Sequence, residues 1–464
     1  MAKKFFHALM VITIIMLFNV NLAAKVTSEP AGGWNELPEI LSRIVPPVFP
    51  ERDFLITDFG GNGDGKTDNT DGFQNAIAAC NGAGGGRVVV PDGIFLTGAI
   101  HLKSNVNLFL ASGAVLKFST DPHQYLPVVF SRWEGTEVMN YSACIYAYEA
   151  ENIAITGSGV IDGQAGYDNW WRWKSLSGTD ARKLVKMGDG DIPVEERVFG
   201  PGHYLRPNLV QLISCRNVLI EGVTFKNAPM WNINPVYCRN VTINRVRVEG
   251  DGPNNDGCNP DSCSDVLIKD CIFNCGDDCI AIKSGRNRDG RRVNIPSENI
   301  LIQGCQMEDG HGGITCGSET AGDIRNIYAE NSVMSSANLW MALRFKTNPD
   351  RGGTIENVFI RNCQIQQTGQ TGIHMTMAYD GVSSGPYLPE IRNIEIRNCR
   401  SKNVPQAIYI LGLKNSKIEA VRLEDCRFEG VHTANFITNV EGLILKNVSV
   451  NGALEKNSPK FVQE

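Results

Sequence analysis

From about residue 217 the chain returns to one short pattern: a turn residue, then apolar and polar positions in alternation, then Cys or Val two residues before a last apolar position. Asn217 opens N-V-L-I-E-G-V-T-F, Asn240 opens N-V-T-I-N-R-V-R-V, Asp265 opens D-V-L-I-K-D-C-I-F and Asn299 opens N-I-L-I-Q-G-C-Q-M. The pattern recurs with some decay from Asn326, Asn357, Asn393, Ala420 and Gly442, at intervals of 22 to 36 residues. Alternation of this kind marks strands with one buried face, and a unit so short cannot bury that face alone. It must stack on its neighbours, so the repeat predicts an all-β solenoid, a parallel β-helix with two or three short strands per coil. A leucine-rich horseshoe would need a leucine-dominated template, whereas these coils are built on Val, Ile and Cys.

The Asn that opens many coils suits a tight turn, because it tolerates left-handed backbone and bonds to its surroundings; successive Asn side chains can also stack as a ladder. Residues 105–116 and 152–161 are earlier, weaker coils. Residues 71–80 have helical character and are expected to cap the N-terminal end, where a solenoid would otherwise expose its core and unpaired strands. Residues 164–205 interrupt the repeat with Trp170, Trp171 and Trp173. They are an insertion near the groove whose rings either stack on a sugar or pack beneath a loop.

Lys3 and Lys4, an apolar run over residues 8–18, and the small Ala23 and Ala24 have the three-part layout of a secretory signal. Residues 1–24 are therefore read as a signal peptide and 25–464 as one β-helix domain, exported to the periplasm or the cell exterior. No later run of about 18 apolar residues points to a membrane span.

Composition narrows the partners. With 42% apolar and 20% charged residues the 464-residue chain buries a large core and is neither disordered nor a coiled coil. Its net charge is 44 − 50 = −6, or 42 − 50 = −8 without the first 24 residues, and it has no long basic run, which argues against nucleic acid. A polyanion could bind only at a local basic patch. Among the fourteen cysteines, Cys271, Cys305, Cys363, Cys399 and Cys426 stand where other coils have Val, as small buried hydrophobes. Cys258, Cys263, Cys275 and Cys279 crowd together near several acids, where one or two disulfides are expected; zinc fits their spacing poorly.

Those acids are the chemical signal. Asp261 in Asn259-Pro260-Asp261 and the pair in Gly276-Asp277-Asp278 fall on adjacent coils, which stack about 5 Å apart. Gly310-His311-Gly312 lies on the next coil. Beyond it come Arg344 and Lys346, which must point outward together because Leu343 and Phe345 point in. Lys283 shares the outer face, and Arg286, Arg288, Arg291 and Arg292 follow it. One external strip thus gathers carboxylates, an imidazole and cations over a floor of small residues, as a groove for a chain-like ligand requires. Three close acids repel and raise at least one pKa, an arrangement more often kept for chemistry than for stability.

In this order the motifs resemble those of glycoside hydrolase family 28, the polygalacturonases: N-T-D, G-D-D, G-H-G and R-I-K. Pro260 stands in place of Thr and Phe345 in place of Ile. The resemblance runs from about residue 58 to the last coils and implies a right-handed parallel β-helix that hydrolyses α-1,4-galacturonosyl links with inversion. It assigns Asp277 as general acid, Asp261 with Asp278 as the pair that activates water, and His311 as the residue that tunes the acid's protonation or holds the site's hydrogen bonds. Arg344 and Lys346 would clamp the sugar carboxylate, and Lys283 is a further cation available to bind substrate. The implied partner is a pectic polysaccharide or oligogalacturonide, acted on by a monomer without a cofactor, with exo action favoured over endo. An inverting pair would keep about 6.5–9.5 Å between carboxyls. The competing readings are a calcium-dependent pectate lyase-like β-eliminase and a non-catalytic glycan-binding β-helix.

Overall fold

Three parallel sheets run the length of a right-handed solenoid in the computed structural model, which describes residues 33–455. The signal segment expected over residues 1–24 lies outside the described residues. Most coils contribute one strand to each sheet. Two of the sheets have 14 strands, and the third is split into runs of four and six. The repeat starts are where the sequence places them: Asn217, Asn240, Asp265, Asn299, Asn326, Asn357, Asn393 and even Ala420 adopt positive φ of 52 to 56°. That left-handed turn sends the chain from one sheet to the next, and Asn enters it at little cost. Their side chains form the expected ladder, with Nδ2 of Asn217 donating to Asn152 at 2.9 Å, Asn240 to Asn217 at 2.8 Å and Asn357 to Asn326 at 3.0 Å.

In-register stacking builds the core. Val218, Val241, Val266, Ile300, Ile327, Val358 and Ile394 pair in one continuous row, all buried. The helix Thr70–Gly82 covers the N-terminal end and buries Phe73, Ala76, Ile77 and Cys80 on the first coils, as the cap must. No disulfide forms: all fourteen thiols are free and buried, Cys258, Cys263, Cys275 and Cys279 included. Those at the Val position of the repeat fill the lumen as Val does, and several donate to the carbonyl two residues back, as Cys271 Sγ does to Lys269 O at 3.1 Å.

The insertion folds into the helices Trp173–Leu176 and Gly178–Asp189. Its aromatic residues pack on the solenoid and on one another. Trp170 and Trp171 are buried, Trp171 Nε1 donates to Ala228 O at 2.9 Å, and Trp170 and Trp173 meet edge to face at 4.9 Å. Of the two uses open to these rings, packing is the one adopted. No helix among the described residues is long and apolar enough to cross a membrane.

Candidate active site

The third sheet breaks at the coil over residues 254–261, which joins its neighbours through single bridges, Ile233↔Cys258 and Val236↔Asp261 to the preceding coil and Cys258↔Ile280 and Asp261↔Lys283 to the following one. This register decides which acids meet. Because Cys258 lies opposite Ile280 and Asp261 opposite Lys283, the residue that faces Asp278 is Asp256, and Gly257 N donates to Asp278 O at 2.9 Å. Oxygens of Asp256, Asp277 and Asp278 all lie within 4.8 Å of one another, in a cleft of about 240 Å³.

Asp261 does not join them. It is fully buried behind the cleft, paired with Arg132 Nη1 at 3.0 Å and accepting from Gly285 N at 3.1 Å. Burial raises its pKa, against the pull of Arg132. The sequence contained the signal for Asp256: Asn254-Asn255-Asp256 fits an N-x-D motif as well as Asn259-Pro260-Asp261 does. The loop carrying it is held from three sides. Arg206 donates to Pro253 O and Asn254 Oδ1, both at 2.7 Å, Asn255 Nδ2 donates to Ala228 O and Met230 O at 2.9 Å, and Asn259 Nδ2 donates to Asp256 Oδ2 at 2.7 Å.

The three acids have unlike surroundings. Asp278, 1% exposed, receives Arg344 Nη1 on Oδ1 at 3.0 Å and Lys346 Nζ on Oδ2 at 2.6 Å. Burial alone would raise its pKa, but Lys346, Arg344 and Lys283 outweigh burial and hold the carboxyl well below the usual carboxylate range. Asp256, 3% exposed, is pushed well above that range by burial and by the charge of Asp277. Asp277 is the most open of the three and binds His311 Nδ1 at 2.9 Å; the imidazole stacks on Trp340 at 3.8 Å between ring centres. Crowding therefore keeps a proton within the trio while Asp278 stays ionised.

Arg344 and Lys346 do point outward together from the strand Met341–Lys346, but their first partner is Asp278 rather than open cleft. Gly312 makes that contact possible. A Cβ there would come within 2.6 Å of Asp278 Oδ1 and 3.1 Å of Arg344 Cδ, so the second glycine of Gly310-His311-Gly312 leaves room for the ion pair. Lys283 lines the cleft yet is engaged, with Nζ 3.1 Å from Glu319 Oε2 and 3.8 Å from Asp256 Oδ2, above the Trp231 ring at 4.7 Å. Of the arginines that follow, Arg286 reaches the cleft, while Arg288 and Arg292 are bound by Asp191 and by Glu137 and Asp289, and Arg291 covers Tyr387. Glu319, Arg351 and Tyr379 also line it. They sit on turns with no repeat pattern, and sequence reasoning missed them.

The comparisons with known proteins agree with this geometry. Residues 80–450 match Glycosyl hydrolases family 28. The chain belongs to that family. It is 30% identical over 411 residues, 84% of this chain and 77% of the relative, to a probable polygalacturonase of Vitis vinifera. It is 27% identical over 394 residues, 78% of this chain and 62% of the relative, to an exo-poly-alpha-D-galacturonosidase of Dickeya chrysanthemi. Among solved structures, a hyperthermoactive exopolygalacturonase of Thermotoga maritima superposes with a TM-score of 0.87 at 42% identity, covering 91% of this chain and 96% of that one. The chain is thus a glycoside hydrolase.

Proposed function

We propose that this cleft hydrolyses α-1,4-galacturonosyl links from the end of a pectic chain. The observation that carries the reading is the acid trio with one member held ionised by two cations. Asp277 is the general acid, since it is the carboxyl most open to the cleft and His311 orients it. Asp256 takes the place expected of Asp261, and with Asp278 it holds the attacking water. Burial and the charge of Asp277 raise the proton affinity of Asp256, so its ionised form is fit to act as base. His311 steadies the acid.

The oxygens approach more closely than the spacing expected of an inverting pair, and that spacing alone would suggest a covalent intermediate. The partners argue otherwise. Both Asp278 oxygens bind cations and Asp256 is tied to Asn259, so neither is a free nucleophile, while together they can orient water. Inversion follows. The trio is also a poor calcium site, because Asp278 is already neutralised and Lys283 stands beside Asp256, which disfavours the eliminase reading.

Exo action is supported by residues outside the repeat that line the cleft: Lys174 from the insertion, Glu134 from the turn between the hairpin strands Val129–Trp133 and Thr136–Asn140, and Arg286. Residues 1–24 support export. Early products of polygalacturonate, separated by chromatography, test the reading. Galacturonic acid alone is expected. A ladder of oligomers would rule out end-wise attack, and products absorbing in the ultraviolet would show elimination.

Lys346→Met separates charge tuning from substrate clamping. Lys346 is the cation that holds Asp278 lowest, so without it burial carries the carboxyl upward, and the acid limb of the pH profile of kcat/KM moves to higher pH. Activity then falls more at pH 4.5 than at pH 7. A clamp alone would raise KM at every pH without moving the limb.

A further inference from the structure

On the far side of Glu319 from the acid trio, two guanidinium groups lie against the cleft with hydrogen-bonding capacity unspent. Arg351 is 5% exposed; its Nη1 donates to Asn287 Oδ1 at 2.7 Å, its Nη2 stands 3.9 Å from Glu319 Oε1, and its buried Nε has no acceptor. Arg286 donates Nη1 to Glu134 at 2.7 Å, and its buried Nε likewise has none. The other buried cleft cations are committed, Lys346 to Asp278 and Lys283 to Glu319. A buried arginine whose nearest carboxylate stands at 3.9 Å is a cation short of an anion. Burial and the neighbouring Arg286 push its guanidinium below its ordinary pKa, as expected where negative charge is wanting.

We propose that Arg351, backed by Arg286, receives the carboxylate of the terminal sugar in the cleft, and so selects a uronic acid over a neutral hexose at the chain end. The proposal rests on the galacturonosyl reading above. The guanidinium fork matches a carboxylate at two points, which a lysine in the same place could not do. An incoming carboxylate would give Arg351 Nη2, which stands 3.9 Å from Glu319, a close acceptor, whereas a hydroxymethyl group would leave the charge uncompensated. Glu319 lies between this site and Lys283, so the two cationic centres are separated by an anion and can act on different sugars.

The test compares trigalacturonate with two analogues, each with the carboxyl of one terminal sugar reduced to the alcohol. Wild-type protein should lose roughly 10–100-fold in kcat/KM on one analogue, the range of a charge-assisted contact. Arg351→Gln should lose a similar factor on trigalacturonate, mainly in KM, and almost nothing further on that same analogue. Arg351→Lys should recover part of the loss, and unchanged melting temperatures would show both variants folded. Equal further losses on all three substrates, or no loss from Arg351→Gln, would overturn the proposal. If wild-type protein cleaves none of them, the galacturonosyl reading has failed first and this proposal with it.

Discussion

Asp277→Asn is expected to lower kcat by about 10²–10⁴-fold, the usual contribution of a positioned proton donor. Asn keeps the shape and can still accept from His311, whose Nδ1 lies 2.9 Å from the carboxylate, so KM and the melting temperature should change little. A substrate with a good leaving group, which needs no proton, should recover most of the lost rate. Loss of binding at unchanged kcat would instead make Asp277 a contact residue. The measurement is steady-state kinetics on galacturonan beside an aryl galacturonide.

The second large effect is a contrast. Asp256→Asn should cost about 10²–10⁴-fold in kcat, as the loss of a general base does. It should also stabilise the fold. Asp256 has its pKa raised in the folded protein, so at neutral pH folding must take up a proton that the unfolded chain has released. That penalty is absent below the ordinary carboxylate pKa and grows as pH rises, so the gain in melting temperature should be larger at pH 7 than at pH 4. Asp261→Asn should do the reverse. It leaves Arg132 buried without its counter-ion, a loss of about 3–5 kcal/mol, while the folded fraction turns over at nearly the normal rate. Thermal unfolding read alongside kcat separates the two. If Asp261→Asn kills turnover in folded protein and Asp256→Asn does not, the trio has been drawn from the wrong residues.

What the sequence carried was whatever repeats. Coil starts, the inward rows of Val and Ile, the cap near residues 71–80 and the outward pair Arg344 and Lys346 follow from alternation and stacking, and the structure has all of them. The juxtaposition of Asp277 and His311 follows as well, since both stand at the same edge of adjacent coils. Asp256 was hidden because two N-x-D triplets lie five residues apart, and only the bridge between Cys258 and Ile280 shows which of them faces Asp278. The expected disulfides failed for a related reason. Crowding in sequence reflected lumen positions, where a thiol replaces a valine, rather than partners facing each other. Glu319, Arg351 and Tyr379 come from turns whose course depends on tertiary packing, which no local period records.

Turnover depends above all on a water held by Asp256 and Asp278 while Asp277 protonates the leaving oxygen at the end of the chain. Time-resolved proton NMR of polygalacturonate during digestion tests all of it in one spectrum. The expected first signal is the β-anomer of free galacturonic acid, from inversion of the α link, with the α-anomer growing in only by mutarotation. The α-anomer appearing first, reducing ends on oligomers before monomer, or an olefinic proton would contradict it.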